Sequence, residues 1–198
     1  HSQHGIATAR ITRTIRIPQS LNVARVLSHR GGGQYAPENT LAAIRHTAGT
    51  NVQWVEFDVR MTYDNELVLM HDATLDRTTN GQGFLRETLL TDLQKLDAGA
   101  YFSTNFMGEP IPTLSEAVTL MSEIGIAANV EIKLSPGESP AIGEKVGAFL
   151  SRNWPKNFPP PIISCFATAP LEAARNIAPS LPRMLIFETL PEDWRIQV

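Results

Sequence analysis

Two short stretches place carboxylates at a spacing suited to metal chemistry. In WVEFDVR, Glu56 and Asp58 stand two apart, and in NVEIK the same interval relates Asn129, Glu131 and Lys133. Residues two apart on a strand share a face. Val55, Phe57, Val130 and Ile132 would then pack against helices on one side, leaving the carboxylates on the inner side. Three carboxylates facing inward repel one another and lose hydration unless a cation sits among them. Oxygen-only donors favour a hard ion, Mg²⁺ or Ca²⁺, over zinc. The competing expectation is plainer: Glu56 and Glu131 pair with Arg30, Arg60 or Lys133 as structural salt bridges.

His29 and His71 each close an apolar run, in VARVLSH and ELVLMHD. The carboxyl ends of strands are where parallel α/β folds carry their chemistry. Two histidines at equivalent places suggest an acid and a base acting on opposite sides of one bond. His46 falls on an expected helix, and His1 and His4 lie in the amino-terminal stretch, so none of the three carries that signal. After His29 and Arg30, the glycines Gly31–Gly33 allow a tight turn and close approach to a ligand. HRGGG by itself matches neither the dinucleotide nor the P-loop spacing.

The elements that must position these residues follow from periodicity. VARVLSH, WVEFDVR, ELVLMHD, AANVEIK, PIISCF and RMLIF read as six strands, and LAAIRHTA, LSEAVTLMSEIG, PAIGEKVGAFLSRNW and PLEAARNIA as helices. Asn39 or Thr40 can cap the first helix. The alternation implies a parallel sheet with helices outside. Between WVEFDVR and ELVLMHD the connection is too short for a crossover helix, so an irregular unit is expected there. Residues 72–110 read as a loop excursion with one short helix near Leu89–Leu96.

The 198-residue chain is 42% hydrophobic with a net charge of −3, an ordinary globular composition. Arg10, Arg13, Arg16, Arg25 and Arg30 all precede the first acidic residue, Glu38, so residues 1–20 are expected to form a solvated basic arm and 21–198 the folded domain. The single cysteine, Cys165, permits no intrachain disulfide and sits most easily in a reducing, cytoplasmic setting. No apolar run approaches the roughly 20 residues that span a bilayer. Neither stable membrane insertion nor a nucleic-acid partner is expected.

Taken together, HRGGGQYAPENTLAAI, VEFDVRMTYDNELVLMHDATLDRTTNGQG, IPTLSEA and NVEIK resemble the glycerophosphodiester phosphodiesterases, from about Val23 to Trp194, and most of all the bacterial cytoplasmic type. That resemblance implies a TIM (β/α)8 barrel of the phospholipase C-like phosphodiesterase type. It also implies hydrolysis of glycerophosphodiesters to glycerol 3-phosphate and an alcohol with one divalent cation, Mg²⁺ or Ca²⁺. Carried over residue by residue, it makes Glu56, Asp58 and Glu131 metal ligands, and His29 and His71 the acid/base pair. Arg30 and Lys133 would hold the phosphate, Asn39 and Asp72 would orient these groups, and Arg77 would begin a substrate-side loop, RTTNG. The nucleophile would be water or the substrate's own glycerol hydroxyl, through a cyclic phosphate, and either histidine can serve as acid or base.

A TIM barrel typically needs about 250 residues and eight strands, whereas about six strands are read here. The barrel is therefore expected to be incomplete: a fragment of a longer product, a gene remnant, or a short form that closes by pairing with a second copy through its open edge. Two other functions compete with the leading one. One is an inactive fragment that binds only metal, phosphate or a partner chain; the other is a related two-histidine phospholipase acting on lipid headgroups.

Overall fold

The computed structural model describes residues 24–134 and 137–192, so the expected arm over residues 1–20 lies outside the described residues. Five strands form one sheet in the order β2-β1-β3-β4-β5. They are β1 (Trp54–Met61), β2 (Leu67–Leu69), β3 (Ala127–Ile132), β4 (Ile162–Cys165) and β5 (Arg183–Leu185). β1, β3, β4 and β5 run parallel in sequence, joined by helices on one face. β1 to β2 is an antiparallel hairpin. Its turn runs through Asn65 in the left-handed region (φ 65°) and leaves no room for a helix.

The expected first strand is the main correction. Among its described residues, VARVLSH contributes a single parallel bridge, Ser28 to Val55, held by Ser28 N–H to the Trp54 carbonyl and Glu56 N–H to the Ser28 carbonyl. Arg25 and Val26 are exposed, and from His29 the backbone coils into a 3-10 turn (His29–Gly31) with Arg30 and Gly31 at φ 51° and 88°. A left-handed pair cannot continue a strand. The run MHD likewise leaves the sheet after the short β2.

The helices are α1 (Leu41–Ala48), the short α2 (Leu90–Leu93), α3 (Leu114–Ile124), α4 (Ala141–Asn153) and α5 (Thr168–Ile177). Thr40, rather than Asn39, caps α1 by accepting from the Ala43 N–H. α3 begins with a reciprocal capping box between Thr113 and Glu116 and ends at Gly125 in the left-handed region. Val55, Phe57, Val59, Val130, Ile132, Ile163 and Cys165 face these helices and bury against Leu114, Val118, Met121, Val146, Leu150 and Leu171.

The opposite, inner face of the sheet is graded along its length. At the amino ends of the strands Trp54, Ala127 and Ile162 cluster with Leu27. One register step further come Glu56 beside Asn129, and then Asp58 beside Glu131 beside Ser164. The sheet is thus closed with apolar side chains at one end and opens into a polar pit at the other. That pit lies at the carboxyl ends of the strands.

Candidate active site

The alternation in β1 and β3 brings three carboxylates together. One oxygen each from Glu56, Asp58 and Glu131 lies within 4.8 Å of the others, and all three residues are buried, Asp58 to 1% exposure. Burial first, and then the Asp58 charge, push the Glu56 carboxyl up to about 8. Its Oε2 accepts the Arg30 backbone N–H at 2.9 Å, but Oε1 is buried with no hydrogen-bond partner, as are Asn129 Oδ1 and Ser164 Oγ on the same inner face. A dehydrated, unshared carboxylate oxygen beside two further carboxylates is what a hard cation requires. The residues present therefore fit a metal ion.

Cationic groups border the triad. Lys133 Nζ donates to Glu131 and lies 3.3 Å from Asp58 Oδ1, with the Phe166 ring 5.3 Å from it. Burial opposes its charge, but the hydrogen bond to Glu131 and the charges of Asp58 and Glu131 outweigh that and raise its pKa. Arg30 Nε is 3.8 Å from Asp58 Oδ2 and is buried without a hydrogen-bond partner, while Nη1 donates to Glu38 Oε1 at 2.8 Å. The salt-bridge expectation thus holds for Lys133 with Glu131, while the Arg30 guanidinium pairs with Glu38 and approaches Asp58, and only its backbone N–H reaches Glu56. Arg60 instead turns to the His71 carbonyl (Nε to O 2.8 Å) and to Glu138 at 4.0 Å.

Asn39 sits in the left-handed region (φ 58°), which aims its amide at β1. Nδ2 donates to Asp58 Oδ2 at 2.8 Å, and Oδ1 accepts the Asp58 N–H at 3.0 Å. This two-way clamp leaves the Asp58 carboxylate one orientation. The histidines stand on the solvent side of the pit. His29, 71% exposed at the side chain, places Nε2 3.9 Å from Glu56 Oε2. His71 Nδ1 lies 2.7 Å from Asp72 Oδ1. Hydrogen bonds from Arg77, and then from His71, outweigh the effect of burial and hold the Asp72 carboxyl well below the usual carboxylate range, so it accepts and Nδ1 carries the proton.

Arg77 completes the rim. Nε and Nη2 reach Asp72 at 2.6 and 3.0 Å, while Nη1 and Nη2 reach Glu38 at 2.8 and 2.7 Å. Ten residues singled out from sequence therefore converge from four segments: residues 29–39, β1, residues 71–77, and β3 with Lys133 just beyond it. Glu38 and Arg60 were not among them. Glu38 stands beside Asn39 inside PENT, but that context alone does not set an acidic residue ahead of a helix cap apart from an ordinary one. Arg60 was legible only as a possible partner of the triad.

The architecture and the pit define a class: an α/β chain of the TIM-barrel type, incomplete over the described residues, with an acidic, cation-fitting cluster at the carboxyl ends of its strands. Residues 29–196 match the Glycerophosphoryl diester phosphodiesterase family, and the chain belongs to it. A glycerophosphodiester phosphodiesterase of Caldanaerobacter subterraneus is 38% identical over 86% of this chain and 70% of its own length. One from Bacillus subtilis is 33% identical over 82% of this chain and 59% of its own. Among solved structures, a phosphodiesterase of Oleispira antarctica in complex with the product sn-glycerol-3-phosphate superposes with a TM-score of 0.80. It is 34% identical, over 86% of this chain and 69% of that one. The chain thus spans roughly three fifths to seven tenths of these relatives. Among the described residues, no helix is long and apolar enough to cross a membrane.

Proposed function

We propose that this chain hydrolyses glycerophosphodiesters to glycerol 3-phosphate and an alcohol, with Mg²⁺ or Ca²⁺ held by Glu56, Asp58 and Glu131. The observation that carries this reading is the convergence of the buried carboxylate triad with Arg30, Lys133 and two histidines at one end of the sheet. A phosphodiester resists hydrolysis because negative charge accumulates on the phosphoryl oxygens and the leaving alkoxide is a strong base. When bound, the cation supplies electrostatic stabilisation of that charge. Arg30, whose Nε has no hydrogen-bond partner, and Lys133 add fixed positive charge, one beside each oxygen of Asp58.

One histidine gives a proton to the leaving oxygen and the other takes one from the attacking hydroxyl. Asp72 orients the His71 ring so that Nε2 is the nitrogen that exchanges protons with substrate. His29, which among the described residues has no carboxylate hydrogen-bonded to its ring, is placed by the 3-10 turn with Nε2 3.9 Å from Glu56 Oε2. Exposed Tyr101, Phe102 and Met107 on the loop beside Glu38 favour keeping a second reading in the same assay, cleavage of a phospholipid headgroup.

The experiment is release of glycerol 3-phosphate from glycerophosphoethanolamine by the purified chain with Mg²⁺, Ca²⁺ or EDTA, beside Glu56→Ala/Glu131→Ala. Cation-dependent release that drops at least about 1,000-fold in the double variant is expected. Absence of release from folded protein would reduce the chain to a binding fragment, and release from dispersed phospholipid alone would replace the substrate class.

A further inference from the structure

Arg30 and His71 come from separate segments, yet an unbroken run of charged hydrogen bonds joins them. Arg30 Nη1 donates to Glu38 Oε1 at 2.8 Å. Arg77 donates to both Glu38 oxygens, at 2.8 and 2.7 Å, and to both Asp72 oxygens, at 2.6 and 3.0 Å. Asp72 Oδ1 then meets His71 Nδ1 at 2.7 Å. From Arg30 to Asp72 the run alternates cation and anion, and Glu38 is the link between its two guanidinium groups.

Glu38 is fixed as few rim residues are. Its side chain is 16% exposed, its N–H donates to the Tyr101 hydroxyl at 3.0 Å, and its neighbours are locked on both sides. Asn39 N–H donates to the Arg30 carbonyl, and Thr40 Oγ1 donates to the Pro37 carbonyl. Burial works against its charge, but the hydrogen bonds and fields of Arg77 and Arg30 prevail and hold its carboxyl below the ordinary value. An anion held rigidly between two guanidinium groups restricts both, because each fork has one good bidentate or end-on geometry.

We propose that Glu38 is a positioning residue that holds Arg30 and, through Arg77 and Asp72, the His71 ring as one unit. This rests on the phosphodiesterase reading above. With Glu38 in place, Arg30 presents Nε toward the pit while Nη1 is engaged, and the 72–77 segment is tied to PENT so that His71 keeps its distance from the phosphate clamp.

Three variants of the whole chain test it: Glu38→Gln, Asp72→Asn and the double variant. Glu38→Gln keeps the side chain's shape and is expected to lower kcat/KM by 10- to 100-fold, with kcat falling and not KM alone. The double variant is expected to fall about as far as the worse single, as members of one unit do. A product of the two single effects, or Glu38→Gln with wild-type kcat, would overturn the proposal. A second readout needs no turnover: ¹⁵N spectra of histidine-labelled protein are expected to show His71 with its proton fixed on Nδ1, and a mixture of tautomers in Glu38→Ala. An unchanged ring signal in Glu38→Ala would also overturn it. A wild-type chain without activity would remove the phosphodiesterase reading, and the ring signal would then decide this inference separately.

Discussion

At the scale of single residues, Asn39 shows how backbone and side chain are committed together. A left-handed φ is costly for most L residues but mild for asparagine, and only in that conformation do both amide atoms meet Asp58. Asn39→Ala removes a charged hydrogen bond, leaves the Asp58 N–H buried and unpaired, and strains the turn. It is expected to cost about 2–4 kcal/mol, read as a lower urea midpoint. Asn39→Gly is expected to recover only the backbone part, about 1 kcal/mol. The residues of the candidate site that were legible from sequence are those whose placement is written in spacing: Glu56, Asp58 and Glu131 by strand alternation, His29 and His71 by their position at the end of apolar runs. Glu38 was not legible, because an acidic residue before a helix cap has many ordinary uses, and its role arises from Arg77, far along the chain.

Among the elements, α4 and α5 depend on two glycines of unequal tightness. A Cβ at Gly143 would lie 2.0 Å from the Pro170 carbonyl oxygen, whereas one at Gly147 would meet Ala174 backbone atoms at 3.2 Å. Alanine gains about 1 kcal/mol over glycine inside a helix, which offsets the mild crowding at Gly147 but not a backbone collision. Gly143→Ala is expected to lose roughly 2 kcal/mol or more net, lowering Tm by about 4–8 °C, while Gly147→Ala stays near wild type in the same calorimetric scan. Sequence periodicity located α1, α3, α4 and α5 and the parallel strands well because each buries a continuous face. It failed at VARVLSH, where an apolar run precedes two left-handed residues. Periodicity reports which side chains prefer burial, and a bridge of two hydrogen bonds satisfies Ser28 as fully as a strand would.

For the whole molecule, the acidic pit links stability to pH and to cations. Glu56 is pushed from the ordinary 4.5 up to about 8. Between those values the unfolded chain releases this proton and the folded chain keeps it. The group's contribution is therefore complete below about 4.5 and lost as pH rises through 8. At about 1.4 kcal/mol per tenfold change in proton affinity, the loss is on the order of 4–5 kcal/mol. In EDTA, Tm at pH 8.5 is expected to fall roughly 10 °C below that at pH 5, and saturating Mg²⁺ or Ca²⁺ is expected to flatten the slope in the same scans. Glu38 and Asp72, both held below their ordinary values, act in the opposite sense and only at acid pH.

The triad has a further consequence for how the chain reaches its native state. Glu56 and Asp58 are neighbours in sequence, but Glu131 joins them only once the hairpin, the long loop and α3 have been traversed and β3 has paired with β1. A partly folded chain offers at most two of the three ligands, so it has little to give a cation. Stabilisation by a ligand that recognises only the finished pairing falls on the native side of the barrier. The ion would act as a latch on unfolding and not as a guide to folding, prolonging the life of the native chain without shortening its search.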